Sequence, residues 1–186
     1  MKRFSQYLVA GMIGAGVLCL GYIGHAAAPD RQGGPTATAQ IHNAANHEGK
    51  ITGTVTFTSV ADGVRVVAAI DGLSPGQHGF HIHEKGDVSA PDLMSAGGHW
   101  NPGGHKHGGP ESAEHHAGDL GNLTADDKGH AHLDEVFKGL TIEGKTGVAG
   151  HSVIIHEKAD DLKSQPAGDA GKRIAGGEIT IGKPTK

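Results

Sequence analysis

Residues 78–119 read HGFHIHEKGDVSAPDLMSAGGHWNPGGHKHGGPESAEHHAGD and carry eight of the chain's fifteen histidines. The stretch opens on a short apolar run, Gly79-Phe80-His81-Ile82-His83. In an extended strand, positions i and i+2 point to the same face. His81 and His83 therefore stand side by side on a rigid element, where two imidazoles can hold one metal ion. Further on, His99, His107, His116 and Asp119 fall in a Gly- and Pro-rich segment with neither helical nor strand period. Three histidines and an acid in a loop suit zinc, which prefers four nitrogen, sulfur or oxygen ligands in a tetrahedron. Two metal ions are expected.

Outward from this stretch the chain reads as short strands and turns. Thirty-two glycines and eight prolines in 186 residues point to many turns and long ordered loops. Gly49 to Val60 alternates Ile51, Gly53, Val55 and Phe57 with four threonines, a strand pattern. Ala61-Asp62-Gly63 marks a hairpin turn, and Val64 to Ile70 returns as a second strand. Asp71 to Gly76 turns the chain into the histidine strand. Ala117–Leu123, His130–Val136, Ser152–His156 and Glu178–Ile181 complete the set. Such a series suggests an all-β antiparallel sandwich or flattened barrel.

Residues 1–28 read as an export signal, with Lys2 and Arg3 ahead of an apolar Leu8–Ile23 run and small residues at Ala26-Ala27-Ala28. An uncleaved membrane anchor is the alternative, because the apolar run is long for a signal. Residues 29–48 are polar and read as a flexible linker, and 49–186 as the single folded domain. The only cysteine, Cys19, lies in the signal, so the exported protein would have no disulfide. Zinc binding can supply the missing folding free energy. The net charge of −4 and the lack of a basic patch exclude a nucleic-acid surface. Acyl or phosphoryl transfer is excluded because no nucleophile–base pair or phosphate loop is present.

Six blocks, GFHIHEKGD, SAGGHWNP, KHGGP, HHAGDLGN, VIIHEKADDL and KRIAGGEITIG, resemble the copper/zinc superoxide dismutases in order and spacing. The resemblance runs from about residue 49 to the end. It implies an antiparallel Greek-key sandwich or flattened barrel with long metal-binding and substrate-channel loops. It implies copper on His81, His83, His99 and His156, and zinc on His99, His107, His116 and Asp119. His99 would then bridge the two ions through both ring nitrogens. Asp160 matches the acid that accepts hydrogen bonds from His81 and His107, and Arg173 the cation that draws in and orients superoxide. His78 matches a buried framework histidine. The implied reaction is dismutation of superoxide to O2 and H2O2, protecting the envelope or exterior of a bacterium, with the periplasm as one location. A copper-binding or delivery protein on the same fold is the alternative.

The chain also departs from the family pattern. Leu93 and Gly176 occupy the positions of the family's disulfide cysteines, so loop rigidity is expected to rest on zinc, on Asp160 and on packing by Leu93, Met94 or Trp100. The segment between Asp161 and Arg173 is shorter than in eukaryotic members, and Ala167 replaces a channel threonine. Lys85 stands at a position that is apolar where the usual dimer contact forms, which leaves a homodimer open. No stable membrane partner is expected unless the N-terminal segment stays attached. Lys158 is a candidate rim cation. His105 and His115 flank the zinc candidates, where an accessory copper-capture role is conceivable, and Gly79 is expected to allow close packing beside the ligand strand.

Overall fold

The computed structural model of the protein describes residues 34–182; the signal or anchor reading of 1–28 lies outside them. Eight strands are present: β1 (Thr36–Asn43), β2 (Thr52–Val60), β3 (Gly63–Asp71), β4 (Gly76–His83), β5 (Asp119–Ala125), β6 (Ala131–Phe137), β7 (Ser152–His156) and β8 (Arg173–Ile181). They close into an antiparallel barrel in the order β1-β2-β3-β6-β5-β4-β7-β8, with β8 pairing back onto β1. The jumps from β3 to β4 and from β6 to β7 across the barrel ends give a Greek key. No helix of the described residues is long and apolar enough to cross a membrane.

One correction concerns residues 29–48, read above as a linker. Within that range Thr36–Asn43 forms β1, paired with β2 and β8. Its inward residues Ala37, Ala39 and Ile41 are buried, while Gln40 and His42 face out. The alternation has period 2, but two of its three apolar positions are alanine, a weak strand signal. The last strand likewise begins at Arg173, five residues earlier than Glu178. Gly176 and Gly177 conceal it, although both are needed: a side chain on Gly177 would meet Gln40 O at 2.1 Å, and one on Gly176 would meet Val153 O at 2.8 Å.

The core is filled by alternate residues of every strand, among them Val55, Phe57, Val66, Phe80, Ile82 and Val153. β4 is an exception to one-sided burial, since all six residues from His78 to His83 are buried. Phe80 and Ile82 belong to the barrel core, whereas His81 and His83 alternate to the outer face. That face is covered by two long connections, residues 84–118 and 157–172. Long ordered loops of this kind are where function is concentrated. A second small apolar cluster, Ala44, Leu93, Ala96 and Ile154, packs the 84–118 connection onto the outside of β7.

Candidate metal centre

β4 holds its histidines between two neighbours. His81 lies opposite Asp119 of β5 on one side and Ile154 of β7 on the other. His83 forms an antiparallel bridge with His99, because the chain returning from the long loop extends the sheet: Glu84 N donates to Gly98 O at 2.9 Å and Trp100 N to Ile82 O at 2.9 Å. His156 ends β7 opposite Arg173, which begins β8. The barrel therefore delivers His81, His83, His99, His156, Asp119 and Arg173 to one patch of its outer wall.

Hydrogen bonds on one ring nitrogen of each imidazole decide which nitrogen is left over. His81 Nε2 is 2.7 Å from Asp160 Oδ2, leaving Nδ1. His83 Nδ1 bonds Gly97 O at 3.0 Å and His156 Nδ1 bonds Gly171 O at 3.2 Å, leaving Nε2 on both. Those two Nε2 atoms are 3.5 Å apart. His99 Nδ1 is 2.8 Å from Asp119 Oδ1, while its Nε2 has no partner. Around Asp119, His116 Nδ1 is 3.2 Å from Oδ1 and His107 Nδ1 is 3.1 Å from Oδ2. His107 Nε2 in turn reaches Asp160 Oδ1 at 3.0 Å.

Two quartets result, His81/His83/His99/His156 and His99/His107/His116/Asp119, each buried and each with its donor atoms within 4.8 Å of one another. Of the described residues, His99 alone belongs to both, one nitrogen directed to each. These donor sets fit metal ions. Buried His81 Nδ1, His99 Nε2 and His107 Nδ1 have no hydrogen-bond partner, a state protein groups rarely tolerate. His107 Nδ1 is near the Asp119 carboxylate but not aligned to bond it, as expected of two donors facing a common ion. A tetrahedron with bonds of about 2.0–2.1 Å has edges of about 3.3 Å, close to the spacings around Asp119.

The electrostatics agree. Burial pushes His81 down to about 4, against the pull of Asp160, and pushes His156 down to about 3 and His83 well below the ordinary range. These rings are neutral at pH 7, as metal binding requires. Burial also disfavours a charged His107, but Asp119 and Asp160 outweigh it and raise the ring to about 9. Burial would raise Asp119 and Asp160; hydrogen bonds from the imidazoles hold both carboxyls far below their usual range. A cation at the second quartet would replace the proton shared there.

Asp160 ties the quartets together, one oxygen on His81 and the other on His107. Three features that the sequence reading did not single out support it. Asn122 grips the Asp160 main chain at both ends, accepting from its N at 2.7 Å and donating to its O at 3.0 Å. Leu162 N donates to Asp160 Oδ1 at 2.6 Å. Gly168, at φ 67°, leaves room: a Cβ there would lie 1.8 Å from Asp160 Oδ1. Asn122 stands inside a quoted block, yet a side chain that bonds main chain leaves no spacing rule to read.

Arg173 is half-buried and donates from Nη1 to Leu93 O at 2.7 Å and from Nη2 to Gly97 O at 2.6 Å. Gly97 O also accepts from His83, so guanidinium and imidazole are fixed against one another. Leu93 is buried with its side chain against Gly176, but Met94 is 60% exposed and does not pack the loop. Trp100 is buried and lies against the His151 ring at 4.5 Å. His78 bonds His156 O at 2.8 Å and Ser74 O at 2.9 Å, a framework role. Gly79 fits because a Cβ would meet Ala170 Cβ at 2.8 Å. Among the described residues, His105 and His115 belong to neither ligand group. Lys158 and Lys85 are exposed.

Residues 51–179 match the family model of copper/zinc superoxide dismutase. An extracellular copper/zinc superoxide dismutase of Drosophila melanogaster is 42% identical over 140 residues, covering 71% of this chain and 77% of the fly protein. One from Caenorhabditis elegans is 38% identical over 136 residues, covering 70% of this chain and 61% of the worm protein. In fold, the crystal structure of the clock protein EA4 superposes with a TM-score of 0.71 at 40% identity, over 78% of this chain and 94% of that one.

Proposed function

The chain belongs to the copper/zinc superoxide dismutase family, and on that premise we propose that its own residues divide the work of superoxide dismutation as follows. His81, His83, His99 and His156 hold copper; His99, His107, His116 and Asp119 hold zinc. The observation that carries this assignment is the paired quartet with one shared imidazole, the ligand atoms of each lying within 4.8 Å of one another. Dismutation takes two superoxide anions and two protons to one O2 and one H2O2. Copper supplies a one-electron redox couple for it, and zinc a redox-silent positive charge.

The protein's part is binding, orientation and protons. The chain is net negative, at −4, and the substrate is an anion, so capture needs a local positive field. Arg173 provides it, since two of its five donors are fixed to Leu93 O and Gly97 O and the others remain for an anion. Lys158 adds charge at the rim. His99 Nε2 can take and release a proton while Nδ1 stays directed to the Asp119 side. Asp160 orients the His81 and His107 rings, with one carboxylate oxygen on each.

The export signal over 1–28 and a position outside the cytoplasm are part of the same reading, supported by the basic–apolar–small pattern and by relatives named extracellular. A bacterial envelope location follows from the style of the sequence, and a homodimer is compatible with it. The test is dismutation by the purified protein with metal content counted on the same sample. High activity at one copper and one zinc per chain, abolished in His156→Ala, is expected. Full copper loading with negligible turnover would replace the enzyme by a copper carrier.

A further inference from the structure

Three ligands of the second quartet are tied to the barrel. Asp119 begins β5, His99 is bridged to His83, and His116 is bound through its main-chain N to Asp119 Oδ2 at 2.8 Å. His107 is different. It lies in irregular chain among glycines 103, 104, 108 and 109, and its backbone enters no strand.

What holds that backbone is one side chain of the other loop. Gln165 Oε1 accepts from His107 N at 2.9 Å, and Gln165 Nε2 donates to His107 O at 2.9 Å. Nε2 donates again to Lys163 O at 3.1 Å, which fixes the amide plane. Among the described residues, no other group bonds the main-chain N or O of His107. A single primary amide thus does for buried His107 what a neighbouring strand does for a ladder residue. Asp160, five positions earlier in the same loop, takes the Nε2 side of the ring. With backbone and Nε2 both held, Nδ1 has one direction left, into the quartet.

We propose that Gln165 is a positioning residue for the loop-side metal ion, setting how tightly zinc is kept while leaving the strand-side quartet unaffected. The proposal rests on the assignment of zinc to His99, His107, His116 and Asp119. His81, His83 and His156 are all strand residues, so the copper side does not depend on the clamp.

The experiment uses the full chain, stripped of metal and titrated with zinc, and separately with copper, against a competing chelator. Gln165→Ala is expected to weaken zinc binding about 10–100-fold, the range for removing a group that orients a ligand. Copper affinity at the strand-side quartet should stay parental. Gln165→Glu, which keeps the size and the acceptor for His107 N but loses the donor to His107 O, should fall between them. Cobalt in place of zinc should show an altered visible absorption in Gln165→Ala, a distortion that mere loss of stability does not produce. Parental zinc affinity with a parental cobalt spectrum would overturn the proposal, as would zinc and copper affinities falling by the same factor. His107→Ala separates the two readings: if it binds zinc as tightly as the parent, the zinc assignment itself fails.

Discussion

Arg173 shows how much one side chain is asked to do. Its guanidinium supports the 84–118 loop through two carbonyls, and in the proposed function it also draws in the anion. Charge and fork geometry can be separated by substitution. Arg173→Lys keeps the charge but cannot reach both carbonyls as a fork; Arg173→Ala loses both. We expect Arg173→Ala to lower kcat/KM by about tenfold or more and to flatten its dependence on salt, since steering contributes on the order of 10–10³. Arg173→Lys should keep the salt dependence at reduced rate. Rates measured across ionic strength decide it, and an undiminished salt slope in Arg173→Ala would move the steering elsewhere. Six of the seven metal-binding candidates could be read from residue type and order, and His156 followed from the family resemblance. Asn122, Gln165 and Gly168 could not, because their work is done on main chain or as empty space.

At the level of elements, the 84–118 connection is held by apolar packing where the family resemblance implies a covalent tie. Leu93, 4% exposed, sits with φ 61° and places Cδ1 at 3.3 Å from where a Cβ of Gly176 would be, beside Ala44, Ala96 and Ile154. Its carbonyl is one of the two that Arg173 grips. Leu93→Ala should therefore cost about 2–5 kcal/mol of stability by opening a cavity, with no change in the slope of the denaturant transition. Urea melts would show it; a loss well under 1 kcal/mol would mean the contact is incidental. The strands were legible where β-branched and aromatic residues alternate, as in β2 and β4. β1 was not, because Ala37 and Ala39 bury little area, and the start of β8 was not, because Gly176 and Gly177 are chosen for the backbone next to them.

For the molecule as a whole, metal content and stability are one question. Without ions, the fold must keep three buried ring nitrogens without partners and two buried carboxylates held by imidazoles and main-chain N–H groups. Ligands that bind only the folded state stabilise it by mass action, about 4 kcal/mol at a thousandfold excess over Kd. Stripping the metals should lower the thermal midpoint markedly, and zinc alone should restore most of it. Metal-free and zinc-loaded protein melting together would refute this. The metal-free form should also depend on pH in a definite sense. His81 and His156 have folded values of about 4 and about 3, below the ordinary 6.5. The unfolded chain then binds more protons in that interval, so stability is full above pH 6.5 and falls as the pH drops toward 4. His107, raised to about 9, acts oppositely: its contribution is complete below 6.5 and is lost as pH rises through 9. Chemical denaturation of the metal-free protein should therefore be hardest between these limits.

β8 closes onto β1, but among the described residues β5 and β6 meet at the single pair Ala125–Ala131, so the facing edges of residues 119–124 and 132–137 are not laddered to one another. A second molecule that continued the sheet, the route by which crowded β proteins zip into fibres, would have to enter at that seam. Along the laddered part of the wall, assembly has to be made by side chains meeting side chains. Contacts of that kind can be changed by surface substitution without touching the fold.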